Sequence, residues 1–466
     1  MSALAAPTQY LRNRAYSWTG YRLRASTGMA YMASCQLQHS SIISNLSCSV
    51  RMAQLMNKKL PELAVIVFFL SGSIFLPVPF ASAQGNPYSQ WTFGPPANPK
   101  FFPIGVWLQS PGHAQEFKNI GVNIFIGFYG NLDAASMSTL GSLKMPVVPT
   151  QNSVGLTSPE RSRIWGWDQI DEPDNAQPNG RGGYGPCITP SAIVSSYAAI
   201  KANDKASPVF LNFGRGASIA GYNGRGSCTG NTAYYPQAIA GGDIISFDIY
   251  PVANYNGQLQ LVPNGVDNLK TWAAQCNCGN KAIWNVIETT PFNGGATPSP
   301  AQIKTEVWMS LIHGSQGIVY FVHVLSPKFR EDGIFSYPAS VQAVKAIDAQ
   351  IASLAPVLNS ATVRNDTHVS SSAAGVAIDT MEKNYGGSKY IFAVAMTNSS
   401  TIGTFTIPGN PTATVTVLGE NRQIGMKNGQ FQDSFAGYGV HLYQCQFSSG
   451  TRTALVPSTN GKAVAQ

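Results

Sequence analysis

Between Phe101 and about Leu354, short apolar runs alternate with stretches whose apolar residues recur at helical spacing. The pattern predicts eight strands: Phe102–Leu108, Asn123–Phe128, Pro146–Pro149, Ile164–Ile170, Val209–Phe213, Ile244–Tyr250, Ala282–Ile287 and Gly317–His323. Helical patterns lie between them at Ala114–Ile120, Ala134–Leu143, Ser191–Ala202, Val266–Ala274 and Pro300–His313, and a final one at Ser340–Leu354 is closed by Ala355-Pro356. Eight strands with interleaved helices over about 250 residues have the size and order of a (β/α)8 TIM barrel. A doubly wound open sheet is the competing α/β arrangement, but no Gly-x-Gly-x-x-Gly follows the first strand.

Beyond the last helix the period falls to two, at Gly375–Asp379, Tyr390–Met396, Gly403–Ile407, Ala413–Leu418 and Gly439–Tyr443. Turn-rich segments such as 384–388 and 408–411 separate these runs. The expected organisation is therefore a barrel over residues 84–360, an antiparallel β-sandwich over 361–447 and a loose polar tail over 448–466.

The chain is 466 residues long and 44% apolar, enough for a large core, while only 11% is charged. Its net charge of +8 invites a nucleic-acid reading until the charges are located. Seven basic residues precede Gln84 against the single acid Glu62, so the leader holds +6 and the remainder only +2. A nearly neutral body has no electrostatic footprint for a phosphate backbone.

Within residues 1–83, positions 56–83 read as a signal peptide. Met56-Asn57-Lys58-Lys59 is basic, Leu63 to Leu70 is apolar, and Ala81-Ser82-Ala83 offers small-x-small cleavage. The apolar run is too short for a spanning helix, so no membrane anchor is expected after cleavage, and the mature protein is expected to be secreted or periplasmic. Residues 1–55 are set outside the fold. Five cysteines follow the leader; Cys187 with Cys228 is the favoured disulfide, and Cys276-Asn277-Cys278 could close a local bridge.

In a barrel of this kind, reacting groups sit where strands end. The fourth strand runs into Trp165-Gly-Trp-Asp-Gln-Ile-Asp171-Glu172-Pro173, and the seventh ends in Trp284-Asn-Val-Ile-Glu288. Cleaving a glycosidic bond needs one protonated carboxyl for the leaving oxygen and one carboxylate near the anomeric carbon. Glu172 and Glu288 could supply both. Asp168 and Asp174 read as loop or cap residues. Aromatic side chains near strand ends (Trp107, Tyr129, Trp165, Trp167, Tyr250 and Trp284) could stack on sugar rings. Asn152, Asn212 and His323 could hold hydroxyls.

This layout resembles the clan A glycoside hydrolases, nearest to families 42 and 5, over Phe101 to about His323. The resemblance implies that Glu172 is the acid/base, that Glu288 is the nucleophile and that configuration is retained. It implies too that Tyr250, in Ser246-Phe-Asp248-Ile-Tyr250, touches the nucleophile. The sequence departs from the clan at three points. Asp171 stands where an Asn that binds the sugar is usual, Phe128 and Tyr129 end strand two without an Arg, and His323 ends strand eight where Trp is common.

The expectation is an exported retaining hydrolase of an oligo- or polysaccharide, with a β-linked bond and no cofactor. The alternative is a barrel that binds glycan without cleaving it. A metal-dependent hydrolase lacks ligand spacing such as His-x-His, and a serine hydrolase lacks a Gly-x-Ser-x-Gly elbow.

Overall fold

The computed structural model describes residues 86–221, 231–363 and 366–447, which fall within one compact unit. The leader and its signal peptide, Cys228 with its expected bridge to Cys187, and the polar tail lie outside those residues.

Eight parallel strands form the barrel: β1 (Ile104–Gln109), β2 (Ile124–Phe128), β3 (Val147–Val148), β4 (Trp167–Asp168), β5 (Val209–Phe213), β6 (Ile244–Phe247), β7 (Ala282–Glu288) and β8 (Gly317–Phe321). Their hydrogen-bonded order is β3-β2-β1-β8-β7-β6-β5-β4. The seam between β3 and β4 is closed by parallel bridges at Val147–Ile164 and Thr150–Asp168, so the sheet returns on itself. All eight expected strands are present, several of them shorter than their apolar runs.

Helices α1 (Ala114–Asn119), α2 (Ala134–Ser142), α3 (Ser153–Thr157), α4 (Pro190–Asn203), α5 (Tyr235–Ala238), α6 (Pro251–Asn254), α7 (Leu261–Cys276), α8 (Pro300–Ile312) and α9 (Pro338–Leu358) follow the strands. Where a helix begins, the sequence says why: Ser299 caps α8 through a reciprocal box with Gln302, with Pro300 in the first turn. Contrary to expectation, α9 does not stop at Ala355-Pro356 but carries Pro356 inside it. Leu354, Ala355, Val357 and Leu358 are all buried there, and that packing outweighs the lost amide.

Alternation along the strands sorts their side chains into two layers. Trp107, Ile126, Phe210, Ile244, Trp284, Val286 and Phe321 fill the barrel, while Val106, Leu211, Ile245, Phe247, Ile287 and Tyr320 face the helices. Tyr88 plugs the end from which the strands start: its hydroxyl donates to the Gln316 carbonyl at 2.7 Å and accepts from Trp284 Nε1 at 2.8 Å. The opposite end, where strands finish, is left to the loops.

The C-terminal residues form two antiparallel sheets. One is β10 (His368–Ser371), β13 (Thr401–Thr406) and β16 (Gln430–Phe435). The other takes the order β15-β14-β17-β12-β11-β9, from β9 (Thr362–Val363), β11 (Ile378–Tyr385), β12 (Ser388–Ala395), β14 (Ala413–Val417), β15 (Arg422–Met426) and β17 (Val440–Phe447). Between the sheets Phe405 stacks on Phe431 with centroids 4.7 Å apart, against Val415 and Tyr443. β12 is buried on both faces. Ile391 and Ala393 point into the sandwich, whereas Phe392 meets Trp308 of α8 at 5.4 Å. The barrel and the sandwich thus share a wall.

Across that wall His313, just after α8, has Nδ1 2.8 Å from Asp267 Oδ2 of α7 and Nε2 3.2 Å from Asp379 Oδ2 of β11. Burial alone would lower the imidazole pKa, but the two carboxylates outweigh it and push it up to about 9. A pKa raised above the usual 6.5 means a stabilisation present in full below about pH 6.5 and lost as pH rises through about 9. Thermal midpoints measured from pH 6 to 10 should therefore fall on the alkaline side in the wild type. His313→Gln should start lower and show a flatter profile over the same range.

Candidate functional site

The end of β4 is built around one extra residue. Successive amides of Trp167, Gln169 and Glu172 donate to the carbonyls of Pro208, Phe210 and Asn212. The neighbouring strand advances by two at each step, but the β4 side advances by two and then by three. This is a bulge, and it re-aims the side chains that follow. Glu172 takes the strain, with φ of 43° at a non-glycine residue that also precedes proline. Backbone strain of this kind concentrates at functional sites.

The bulge delivers a cluster of acids to the mouth of the barrel. Asp168 faces inward from β4 and is buried. Asp171 is open to solvent and accepts from Asn212 Nδ2 at 3.0 Å. Glu172 is half-buried beside Gly214, where a Cβ would come within 2.9 Å of its Oε1 and 2.8 Å of Asn175 Nδ2. Gly214 has φ of −79°, which any residue can adopt, so it is space and not backbone freedom that calls for glycine. Asp174 is fully buried and anchors the loop, accepting from the Gly214 amide at 2.8 Å and the Tyr235 hydroxyl at 3.0 Å. From just past β6 comes Asp248, 9% exposed, which accepts from the Tyr250 hydroxyl at 2.8 Å.

These acids cannot all be charged at once. Burial first, and then the charges of Asp248, Asp171 and Asp174, hold the Glu172 carboxyl well above the usual carboxylate range. Asp248 is pushed up to about 7, mainly by burial and then by Asp171, while hydrogen bonds from Tyr250 and Glu172 pull it back. Asp171, though open to solvent, lies deep enough among protein atoms to rise to about 6, with the Asn212 hydrogen bond opposing. Asp168 is also raised, by burial and then by Asp171. Of the pair, Glu172 is held the more strongly toward its protonated form, and a hydrogen bond joins it to Asp248.

Glu288 reaches the expected strand end but not the expected neighbours. Its side chain has no solvent exposure, and its two oxygens accept the amides of Val252 at 2.5 Å and Ala253 at 3.1 Å, at the start of α6. Glu306 of α8 lies against it, equally buried; burial and then Glu288 hold Glu306 well above the usual carboxylate range, while burial pushes Glu288 itself up to about 7 against the pull of the two amides. Glu172 finds its carboxylate neighbours in Asp248, Asp171 and Asp174. Free amides at a helix start attract a carboxylate, and Glu288 accepts two of them.

The other expected residues divide. Asn212, Asp171 and Tyr250 gather at the acid cluster. His323 lies at the mouth, its Nε2 3.0 Å from the Leu108 carbonyl, and burial lowers its pKa so that the ring is neutral. Three are elsewhere. Asn152 caps α3, accepting from the Gly155 amide and donating to the Leu132 carbonyl, each at 2.8 Å, so its amide is already spent. Trp284 is wholly buried at the closed end against Tyr88, and Trp107 is packed within the barrel 6.4 Å from the Phe210 ring. Of the further aromatic candidates, Trp167 faces the helices and donates to Asp204 at 2.7 Å.

Asp248 joins this cluster although the sequence reading did not single it out, and its signal was present. Ile244, Ser246, Asp248 and Tyr250 alternate with apolar Ile245, Phe247 and Ile249, so the period places Asp248 inward with Tyr250.

Cys276 and Cys278 form the local disulfide, and Cys187 is disulfide-bonded. His113, Glu116 and Asp332 bring ligand-type atoms within 4.8 Å of one another, but His113 Nε2 already lies 2.9 Å from Glu331. Among the described residues, no helix is long and apolar enough to cross a membrane.

No family model and no curated protein matches the chain. Solved structures resemble it distantly. Alpha-galactosidase I from Mortierella vinacea is 12% identical with a TM-score of 0.44, covering 75% of this chain and 97% of its own. An alpha-amylase from Geobacillus thermoleovorans, complexed with acarbose, is 10% identical with a TM-score of 0.43, covering 74% and 98%. A GH27 β-L-arabinopyranosidase from Geobacillus stearothermophilus is 8% identical with a TM-score of 0.41, covering 78% and 99%. At these identities and scores, nothing about this chain's chemistry follows from them.

If Glu288 is a clamp for α6, Glu288→Ala leaves two buried amides unpaired and should cost about 2–4 kcal/mol of stability. Thermal or urea unfolding reads this out, and a variant as stable as the wild type would contradict the clamp.

Proposed function

We propose that this protein hydrolyses a glycosidic bond in an oligo- or polysaccharide, with Glu172 as acid/base and Asp248 as nucleophile. The observation that carries the reading is that Glu172 and Asp248, from just past β4 and β6, meet within hydrogen-bonding reach at the barrel mouth beside Asp171 and Asp174. Glycoside cleavage asks for that combination: a carboxyl that still holds its proton near neutrality beside a carboxylate that has lost it.

In the first step, the Asp248 carboxylate attacks the anomeric carbon while Glu172 gives its proton to the departing oxygen. A glycosyl ester on Asp248 results, and the leaving sugar departs with its hydroxyl restored. In the second step, Glu172, now ionised, takes a proton from water. The water oxygen attacks the same carbon and frees Asp248. Retention is kept from the resemblance, and a pair within hydrogen-bonding reach stands closer than the separation that inversion requires. Tyr250 donates to Asp248 and not to Glu288, the partner the resemblance implied, and so steadies the Asp248 charge. Asp171, held by Asn212, tunes the pair through its charge. Export of the mature chain and a β-linked substrate remain part of the proposal on the strength of the sequence.

Because the nucleophile must be ionised and the acid protonated, kcat/KM should rise as pH increases through about 7, where Asp248 ionises, and fall again at higher pH as Glu172 loses its proton. Asp171→Asn removes a negative neighbour of Asp248 and should move the acidic limb to lower pH. Glu172→Gln and Asp248→Asn should each lower kcat on aryl glycosides by about a hundredfold or more. Full activity in Asp248→Asn, with activity lost in Glu288→Gln at unchanged stability, would return the nucleophile to Glu288. A wild type inert on every glycoside, yet binding glycan, would leave a non-catalytic binding barrel.

A further inference from the structure

An unbroken series of ring contacts leads away from the acid cluster around the mouth. Tyr250, bonded to Asp248, stacks on Phe292 at 4.4 Å, and Phe292 meets Phe321 at 5.5 Å. Phe321 meets His323 at 5.2 Å, His323 meets Phe329 edge-on at 5.5 Å, and Phe329 stacks on Tyr129 at 5.4 Å with 17° between planes. Exposure changes abruptly along the series. Tyr250, Phe321 and His323 are under 10% exposed, whereas Phe329 and Tyr129 are 39% and 41% exposed.

Exposed large apolar side chains are concentrated on this face. Ile170 and Tyr184 in the β4–α4 loop, Phe329 in the β8–α9 loop and Tyr129 after β2 all lie at the end where the barrel strands finish. Such a concentration around a cluster of acids points to a ligand surface. The distal ring pair is also held in advance: Tyr129 and Phe329 brace each other, and Phe329 rests on His323, which the Leu108 carbonyl fixes. Rings that are already ordered lose little freedom on binding. Tyr129 lies two residues after Gly127, where a Cβ would be 3.7 Å from Asp168 Oδ2, so the platform and the acids border one mouth.

We infer that Tyr129 and Phe329 form a distal sugar platform, on which a pyranose ring of an extended saccharide chain stacks while the acids act on a bond further along. The inference rests on the glycosidase reading and deepens it: the substrate is a chain of several sugars and not a monosaccharide glycoside. The apolar face of a pyranose, with its hydroxyls directed outward, suits a flat ring surface.

Native gels cast with hydroxyethylcellulose, arabinoxylan, galactomannan or soluble starch test this on the full chain. At least one polymer should retard the wild type. Tyr129→Ala and Phe329→Ala should each weaken that retardation about three- to tenfold in apparent Kd. Phe329→Trp should keep it, and Tyr385→Ala, an exposed aromatic on the β11–β12 hairpin, should leave it unchanged. Equal retardation of the wild type and both alanine variants, or no retardation by any of the four polymers, overturns the platform. Reducing-sugar release by wild type and Glu172→Gln on the same polymers separates the two claims. Ring-dependent retardation without hydrolysis keeps the platform and removes the catalytic reading. Hydrolysis lost in Glu172→Gln with ring-independent retardation does the reverse.

Discussion

Carboxyl groups crowded into a barrel mouth face a constraint that the rest of this molecule is arranged around: bringing like charges together in a poorly solvated place is costly unless protons stay on some of them. Asp168, Asp171, Glu172, Asp174 and Asp248 meet that constraint unequally. Asp174 is relieved by an amide and a hydroxyl, and Asp171 by Asn212 and by water, so the burden falls on Glu172 and Asp248. The positive φ at Glu172 and the missing Cβ at Gly214 make room for one of the pair, and the hydroxyl of Tyr250 holds the other.

A second layer of acids explains why the end of β6 is steady. Glu288 holds two amides at the start of α6, four and five residues past Asp248, and Glu306 behind it, held toward its protonated form, keeps that clamp from carrying two charges. Glu288 and Asp248 thus divide two tasks between strand ends that look alike in sequence. One carboxylate faces the mouth; the other is wholly enclosed and fixes backbone.

The fold was legible because barrel strands and their helices differ in period, and because eight alternations leave few architectures open. Shortfalls came where the period is weak. β10, β15 and β16 of the sandwich carry many polar residues, as in Gln430–Phe435, and did not stand out as strands. The site was half legible. Glu172 and Asp171 announce themselves beside proline at a strand end, and Asn212 and Tyr250 follow by position. The bulge was not legible, since nothing in Asp168-Gln-Ile-Asp171 says that one residue is extra. Nor could the sequence show that free amides of α6 would claim Glu288, or that Asn152 would be spent as a cap, because both depend on loops meeting in space.

The wall shared by α8 and β12 bears on how this chain can change over evolutionary time. Phe392 and Val394 leave the sandwich to join the same apolar layer as Trp308 and the barrel helices, so the sandwich completes the barrel's exterior. A barrel without it would present a broad apolar surface to solvent, and a sandwich without its barrel would do likewise. Modules joined only by linkers can be traded between proteins; this sandwich is bound to its barrel by their common core. Variation among chains built this way is therefore expected in the loops around the mouth and not through exchange of the C-terminal sheets.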